Sequence, residues 1–370
     1  MVISFSCTNR NPNLKNSLRS PAYELNDYLT LSFDRRVNIN STLQLLRPVV
    51  LNDKYLYGFE KGVSGKIKCF DLVNETHVYD INFQDSVLIT EGISSFYAHS
   101  TDSFFIQASN LRKVYLLDSL GNTLNQWEIH FNIPYILTAF LPEHRPVFEE
   151  KTNRLYSTIL PVGFLKNIEP ENTPLQMAFD VVNDTIIHLF GPVEGVMKFR
   201  QDGYYPPDIS VPYLLKVDNN LLVSYPMDHF IYVYSNTDGT LKYKKLASSN
   251  AVRELPLPLS PDDSKSSQKI WNFRIQTPFY EPLFYHQAEN VYTRAIHHPQ
   301  KLKLADGTLN DDRFRATTVV LLDAELNIIG ETYFDDGTYP THGAVPLTDG
   351  LLMYPKDSGF PILKYSFRRK

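Results

Sequence analysis

The sequence predicts an all-β protein: a six-bladed β-propeller of four-stranded antiparallel blades, closed by an N-terminal strand that completes the last blade. Three observations carry this. Short runs rich in Val, Ile and Tyr recur in groups of four between turn residues, the sixth group stops at Lys370 one strand short, and an unassigned β-like run, Ala22 to Asp34, precedes the first group. If that run pairs with the last group, the ring closes and loses the exposed edges of an open array. Two β-sandwich domains are the competing architecture.

The repeating unit is clearest at Tyr213 to Ala247, YLLKVDNNLLVSYPMDHFIYVYSNTDGTLKYKKLA. Four apolar runs are separated by Asp218-Asn219-Asn220, by Pro226-Met227-Asp228 and by the hairpin signal Asp238-Gly239. β-Branched and aromatic residues suit a pleated surface, and Asp-Gly supplies the positive φ angles of a tight turn. The unit therefore reads as a four-stranded meander.

At the N-terminus, Met1 to Arg10 read MVISFSCTNR, with Cys7 after a short run of apolar and small residues. This resembles the end of a bacterial lipoprotein signal, which implies lipidation at Cys7; the plainer reading is a polar N-terminus with an incidental cysteine. The Asn- and Ser-rich stretch Thr8 to Ser20 would then be a tether, so that 1–20 are signal remnant and tether and 21–370 a single propeller domain. The other cysteine, Cys69, lies in KIKCFDL and reads as a buried structural thiol, so no disulfide framework is implied.

The third strand of each unit marks the repeat: KIKCFDL, KVYLLDS, PLQMAFD, FIYVYS, TVVLLD and ILKYSF. Most end in Asp or Ser followed within a few residues by Asn, Asp or Gly: Asp71 and Asn74, Asp118 and Gly121, Asp180 and Asn183, Ser235 and Asp238, Asp323 and Asn327. An oxygen at the strand end can accept bend amides while Asn or Gly takes the left-handed conformation, so these aspartates read as structural punctuation. Paired runs such as PVVLNDKYLYGFE and YLLKVDNNLLVSY precede each marker, and runs such as HVYDINF and NIIGETYF follow all but the last.

The lipidation-like cysteine, the polar tether and six irregular blades together resemble the secreted propeller lipoproteins of Bacteroidetes, many of them in families of unknown function. The resemblance covers residues 20 to 370 and implies a fold and an extracytoplasmic compartment, in the periplasm or at the cell surface. It implies no activity.

Composition agrees with that class. The 370 residues are 43% hydrophobic and 13% aromatic, enough for one large closed core, and no long run of period 3.6 calls for helices. A net charge of -5 leaves no basic footprint, so nucleic acid is not an expected partner.

Three insertions stretch the repeat: Pro161 to Pro174, Ser248 to Lys269, which reads as a solvated loop, and His297 to Arg315. Loops joining second and third strands share one face of a propeller with the connections between blades, and loops on a rigid scaffold carry binding groups. On that face we expect Arg112, Arg145, Tyr205, Trp271, Arg274, Arg294, His298 and His342 to act as aromatic platforms and charged anchors for an unknown carbohydrate, peptide or protein. For each residue alone, packing between blades is the competing role.

No catalytic residue is identified: GxSxG, Walker and HExxH motifs are absent from the sequence. A metal set drawn from His286, His297, His298 and His342 is opposed by the geometry of a strand, on which adjacent His297 and His298 point to opposite faces. LADGTLNDD and YFDDGTY lack the ligand spacing of a calcium loop and read as turns. No metal and no cofactor is therefore expected. The alternative function is a metal-dependent lactonase-like hydrolase, or a glycoside hydrolase, at the mouth of the central channel.

Overall fold

The computed structural model describes residues 29–369 except 40–44, 61–64, 86–87, 89–92, 94, 109–111, 132–134, 138–145, 162–173, 192–204, 207–210, 253, 255–256, 261, 311–314, 335–343 and 355–360. Its first strand, β1 (Leu29–Val37), belongs to the last blade. Blade 1 follows with β2 (Leu45–Leu51), β3 (Tyr55–Glu60), β4 (Lys66–Asp71) and β5 (Thr76–Asn82), and blade 2 with β6 (Ser95–Ser100), β7 (Ser103–Ala108), β8 (Lys113–Asp118) and β9 (Thr123–Glu128). Blade 3 has β10 (Tyr135–Leu137), β11 (Val147–Glu149), β12 (Arg154–Pro161), β13 (Gln176–Asp180) and β14 (Thr185–Phe190). Blade 4 is β15 (Tyr213–Val217), β16 (Asn220–Ser224), β17 (Phe230–Ser235) and β18 (Leu241–Leu246). Helix α1 (Ser267–Gln276) leads into blade 5, which is β19 (Phe279–His286), β20 (Val291–His297), β21 (Thr317–Leu322) and β22 (Ile328–Phe334). Blade 6 is β23 (Val345–Leu347), β24 (Gly350–Met353) and β25 (Ile362–Arg369), with β1 outermost.

The closure is the one the missing strand predicts. β1 runs antiparallel to β25 from Leu29 opposite Arg369 to Val37 opposite Ile362, a few residues later in the chain than the predicted run. Inner strands meet around the ring, β2 with β6 and β23, and β19 with β15 and β23. The six-bladed propeller is thus established.

Each seam between blades holds its own apolar core. Tyr57, Cys69 and Phe104 pack between blades 1 and 2, whereas Leu56 and Phe70, each one residue from Tyr57 or Cys69, pack with Val345 and Leu352 between blades 1 and 6. Leu221 and Val223 join Tyr156 on the blade 3 side, and Leu222 joins Leu283 and Val320 on the blade 5 side. Because side chains alternate across a strand, a sheet buried on both faces needs apolar residues at successive positions. This is why the second and third strands read as continuous apolar runs.

Two features depart from the sequence reading. The inner strand of blade 3 is in two pieces: β10 and β11 pair with opposite ends of β12. The second departure is α1, which occupies the end of the segment read as a solvated loop and the residues after it. Its cap is local, the Ser266 hydroxyl accepting from the Lys269 amide, and only Ile275 is fully buried. With so narrow a buried stripe, no helical period stood out in the sequence.

The aspartate punctuation is as expected. Asp71 accepts the amides of Val73 and Asn74 and the Asn74 side-chain amide at 2.8, 2.9 and 3.0 Å. Asp118 with Asn122, Asp180 with Asn183 and Asp323 with Asn327 form the same clasp. In blade 2 the partner is Asn122, and Gly121 supplies the left-handed turn residue at φ 85°.

Candidate functional site

Of the predicted recognition residues, five gather on blades 4 and 5, on the face formed by the loops between second and third strands and by the connections between blades. Two buried arginines of blade 5 hold the elements there. Arg294, on β20, is fully buried; its Nη2 donates to the carbonyls of Tyr225 at 2.9 Å and Asp228 at 2.7 Å, and its guanidinium lies 3.7 Å from the Tyr280 ring centre. It therefore fastens the turn between β16 and β17 to blade 5, the packing role between blades, with a third backbone carbonyl, that of His229, accepting from its Nη1. Burial also lowers its pKa from the usual arginine value.

Arg315, just before β21, does the same for the helix. Its Nη1 donates to the Thr277 carbonyl at 2.7 Å and its Nη2 to the Arg274 carbonyl, so a cation caps the carbonyl end of α1. The Gln300 amide donates to the Ile275 carbonyl at 3.0 Å and ties the blade 5 insertion to the same helix end. That insertion closes on Asp306-Gly307, where the Asp306 carboxylate accepts the amide and hydroxyl of Thr308, the turn chemistry the sequence implied.

Held in this way, α1 presents Trp271, 38% exposed, with the Arg274 guanidinium 5.7 Å from its ring centre. Phe273 of the helix packs against Tyr205, from the connection between blades 3 and 4, at 6.2 Å. His298, half-buried, shares a hydrogen bond of 2.8 Å with the Thr318 hydroxyl and meets the edge of Tyr333. Burial, and then its neighbour His297, lower its pKa. Arg112 lies apart, in blade 2, in the left-handed region at φ 53°, its carbonyl accepting the Ile129 amide. Arg145, His342 and Cys7 lie outside the described residues.

Beneath this face are polar groups the sequence reading did not assemble. Glu281 sits where the β19 register shifts against β20, and its carboxylate meets His297 Nε2 at 2.6 Å, while His297 Nδ1 lies 3.3 Å from the Thr317 hydroxyl. A legible signal existed: Pro282 inside an inner-strand run marks a bulge, and bulges re-aim side chains. On the other side of blade 5, Asp228 accepts the Tyr232 hydroxyl at 2.5 Å and the Phe230 amide, and burial raises its pKa. The Tyr280 hydroxyl accepts the Ser249 amide and bonds His229 Nδ1 at 2.8 Å; burial pushes its pKa up to about 12.

His286 is remote from these groups, at the far end of β19, bonded to the Leu347 carbonyl and the Thr293 hydroxyl. Among the described residues no group of three or more His, Cys, Asp or Glu side chains is placed to hold a metal.

No protein-family model and no curated protein matches the chain. Solved structures do. A member of the DUF4221 family from Bacteroides vulgatus superposes with a TM-score of 0.66 at 14% identity, over 93% of this chain and 99% of that one. The likeness is one of fold. A second structure, from Bacteroides fragilis and described as of an exported protein, gives a TM-score of 0.54 at 13% identity, over 93% of this chain and 96% of that one. The propeller is therefore similar throughout its length to Bacteroides proteins, as the sequence resemblance implied.

Proposed function

We propose that this propeller is an extracytoplasmic binding protein, held to a bacterial membrane through lipid on Cys7, that takes a carbohydrate, peptide or protein on the face formed by blades 4 and 5. The observation that carries the reading is α1: a tryptophan with a guanidinium over it stands exposed on a helix whose carbonyl end is capped by a buried arginine. Aromatic and arginine side chains on a rigid support bind with little loss of side-chain freedom, and they dominate binding hot spots. The solved structure described as of an exported protein supports the compartment. The hydrolase alternative has less support, because the carboxylate and imidazole pair described beneath this face, Glu281 and His297, is buried, each residue being 3% exposed.

The test is a glycan array and a peptide library probed with the full chain, then with Trp271→Ala and Arg274→Ala. A hit on this face loses about tenfold or more in affinity with Trp271→Ala, since truncating an anchor costs about 2 kcal/mol. Binding that neither variant alters would place the ligand elsewhere. The membrane arm is read by mass spectrometry of the N-terminal peptide from membranes of expressing cells, with Cys7→Ser as control.

A further inference from the structure

Each blade ends in an outer strand with one unpaired edge, and five of the six outer strands carry charge. β18 has Lys242, Lys244 and Lys245, β1 has Asp34, Arg35 and Arg36, and β5, β9 and β22 have Asp80, Glu128 and Glu331. An unpaired edge is a template for another chain, and charged side chains on it keep copies apart. β14 of blade 3, TIIHLF, has no Lys, Arg, Asp or Glu. A register shift against the third strand is common to all six outer strands, so charge is what sets β14 apart.

Among the described residues no strand pairs with the outer edge of β14. Leu189 of that strand is 43% exposed, and Val182 in the hairpin before it is exposed as well. The next blade steadies the strand: His188 bonds the Thr237 carbonyl at 2.8 Å, and the backbone at Gly239 lies against Phe190 and His188. Leu241 and Tyr243, both exposed, follow that turn in β18.

Antiparallel pairing of an edge with its own copy follows a two-fold axis, so each residue meets the same short stretch of the partner. For β18 that sets lysines against lysines, and like charges opposite one another across strands are unfavourable. For β14 it sets isoleucine, leucine and phenylalanine against themselves with no formal charge to oppose. A strand equally free of charge is the partner this edge fits, and a second β14 is one.

We propose that two copies of this chain associate through β14, edge to edge and antiparallel, joining their third blades into one continuous sheet. The contact lies on the rim, so the face formed by blades 4 and 5 stays open in each copy and the dimer presents it twice.

The experiment is sedimentation equilibrium of the full chain carrying Cys7→Ser, which keeps any lipid-driven association out of the measurement. A monomer–dimer equilibrium is expected within about 1 μM to 1 mM. Leu189→Lys, at an exposed position, should raise the dimer Kd about tenfold or more without lowering Tm, since it removes two leucines from the contact and brings two like charges together. Val78→Lys, at an exposed position on β5, should leave the dimer intact. Hydrogen exchange of dilute and concentrated samples should show added protection at the β14 amides. A monomer throughout that range overturns the proposal, as does a dimer that Leu189→Lys leaves unchanged or one whose added protection lies outside β14.

Discussion

At the scale of single residues, buried titratable groups make the stability of this propeller depend on pH. His286 is fully buried with both ring nitrogens bonded, and burial lowers its pKa from 6.5 to about 4. The folded state therefore refuses a proton that the unfolded chain accepts. The stability this neutral imidazole contributes is complete above pH 6.5 and is lost as pH falls toward 4, about 2 kcal/mol of it by pH 5. Urea midpoints at pH 7 and pH 5 check this: His286→Gln should be less stable at pH 7 and lose less on acidification. Asp228 acts in the opposite direction. Burial raises its pKa, so the folded state is favoured with the carboxyl protonated and loses stability as pH rises through that value. Asp228→Asn keeps an acceptor for Tyr232 and Phe230, and it should raise the urea midpoint at pH 8 by more than at pH 4. Cys69 is likewise buried, its thiol pushed up to about 11 by desolvation, and it should resist maleimide until the chain unfolds.

At the scale of elements, the same arginine chemistry is used twice to attach loops to a rigid sheet. Arg315 holds the carbonyls of Arg274 and Thr277, and without it the last turn of α1 loses its charged cap. Leaving such buried carbonyls without donors costs about 1–3 kcal/mol each. Arg315→Met should therefore speed hydrogen exchange across α1 while exchange in β16 and β17 stays as in the native protein; uniform acceleration would mean that the blade itself depends on this residue. Arg315→Lys should not restore protection, since an ammonium cannot span two carbonyls as the planar fork does. The recurring Asp and Asn clasps follow a related logic on the outer hairpins, where a carboxylate with amide donors stays ionised. The pKa values of Asp71, Asp118 and Asp180 are all lowered, with bonds from the turn amides and from the Asn side chains contributing in each.

At the scale of the whole molecule, stability rests on closure. Leu31 of β1 packs with Ala295, Val319 and Met353 in the core between blades 5 and 6, and β1 supplies the whole outer edge of blade 6. A chain lacking residues 1–37 should expose β25, bind a hydrophobic dye and melt broadly at lower temperature. Retention of the native melting profile would show that the ring stands without its fastening strand.

The fold was legible because each blade is a local pattern: four apolar runs, Asp-marked turns, and one strand missing at the end. Strand pairing within a meander is between neighbours in sequence, and the one long-range pairing, β1 with β25, was forced by counting. The site was legible only in part. That Tyr205, Trp271, Arg274 and His298 gather around blades 4 and 5 could be anticipated because topology assigns loops to faces. That Arg294 is a buried fastener, that Glu281 meets His297, and that Arg315 caps α1 depend on which side chains cross the seams between blades. Those contacts join residues tens of positions apart, and their partners are mostly backbone carbonyls, which every residue carries and no sequence pattern distinguishes.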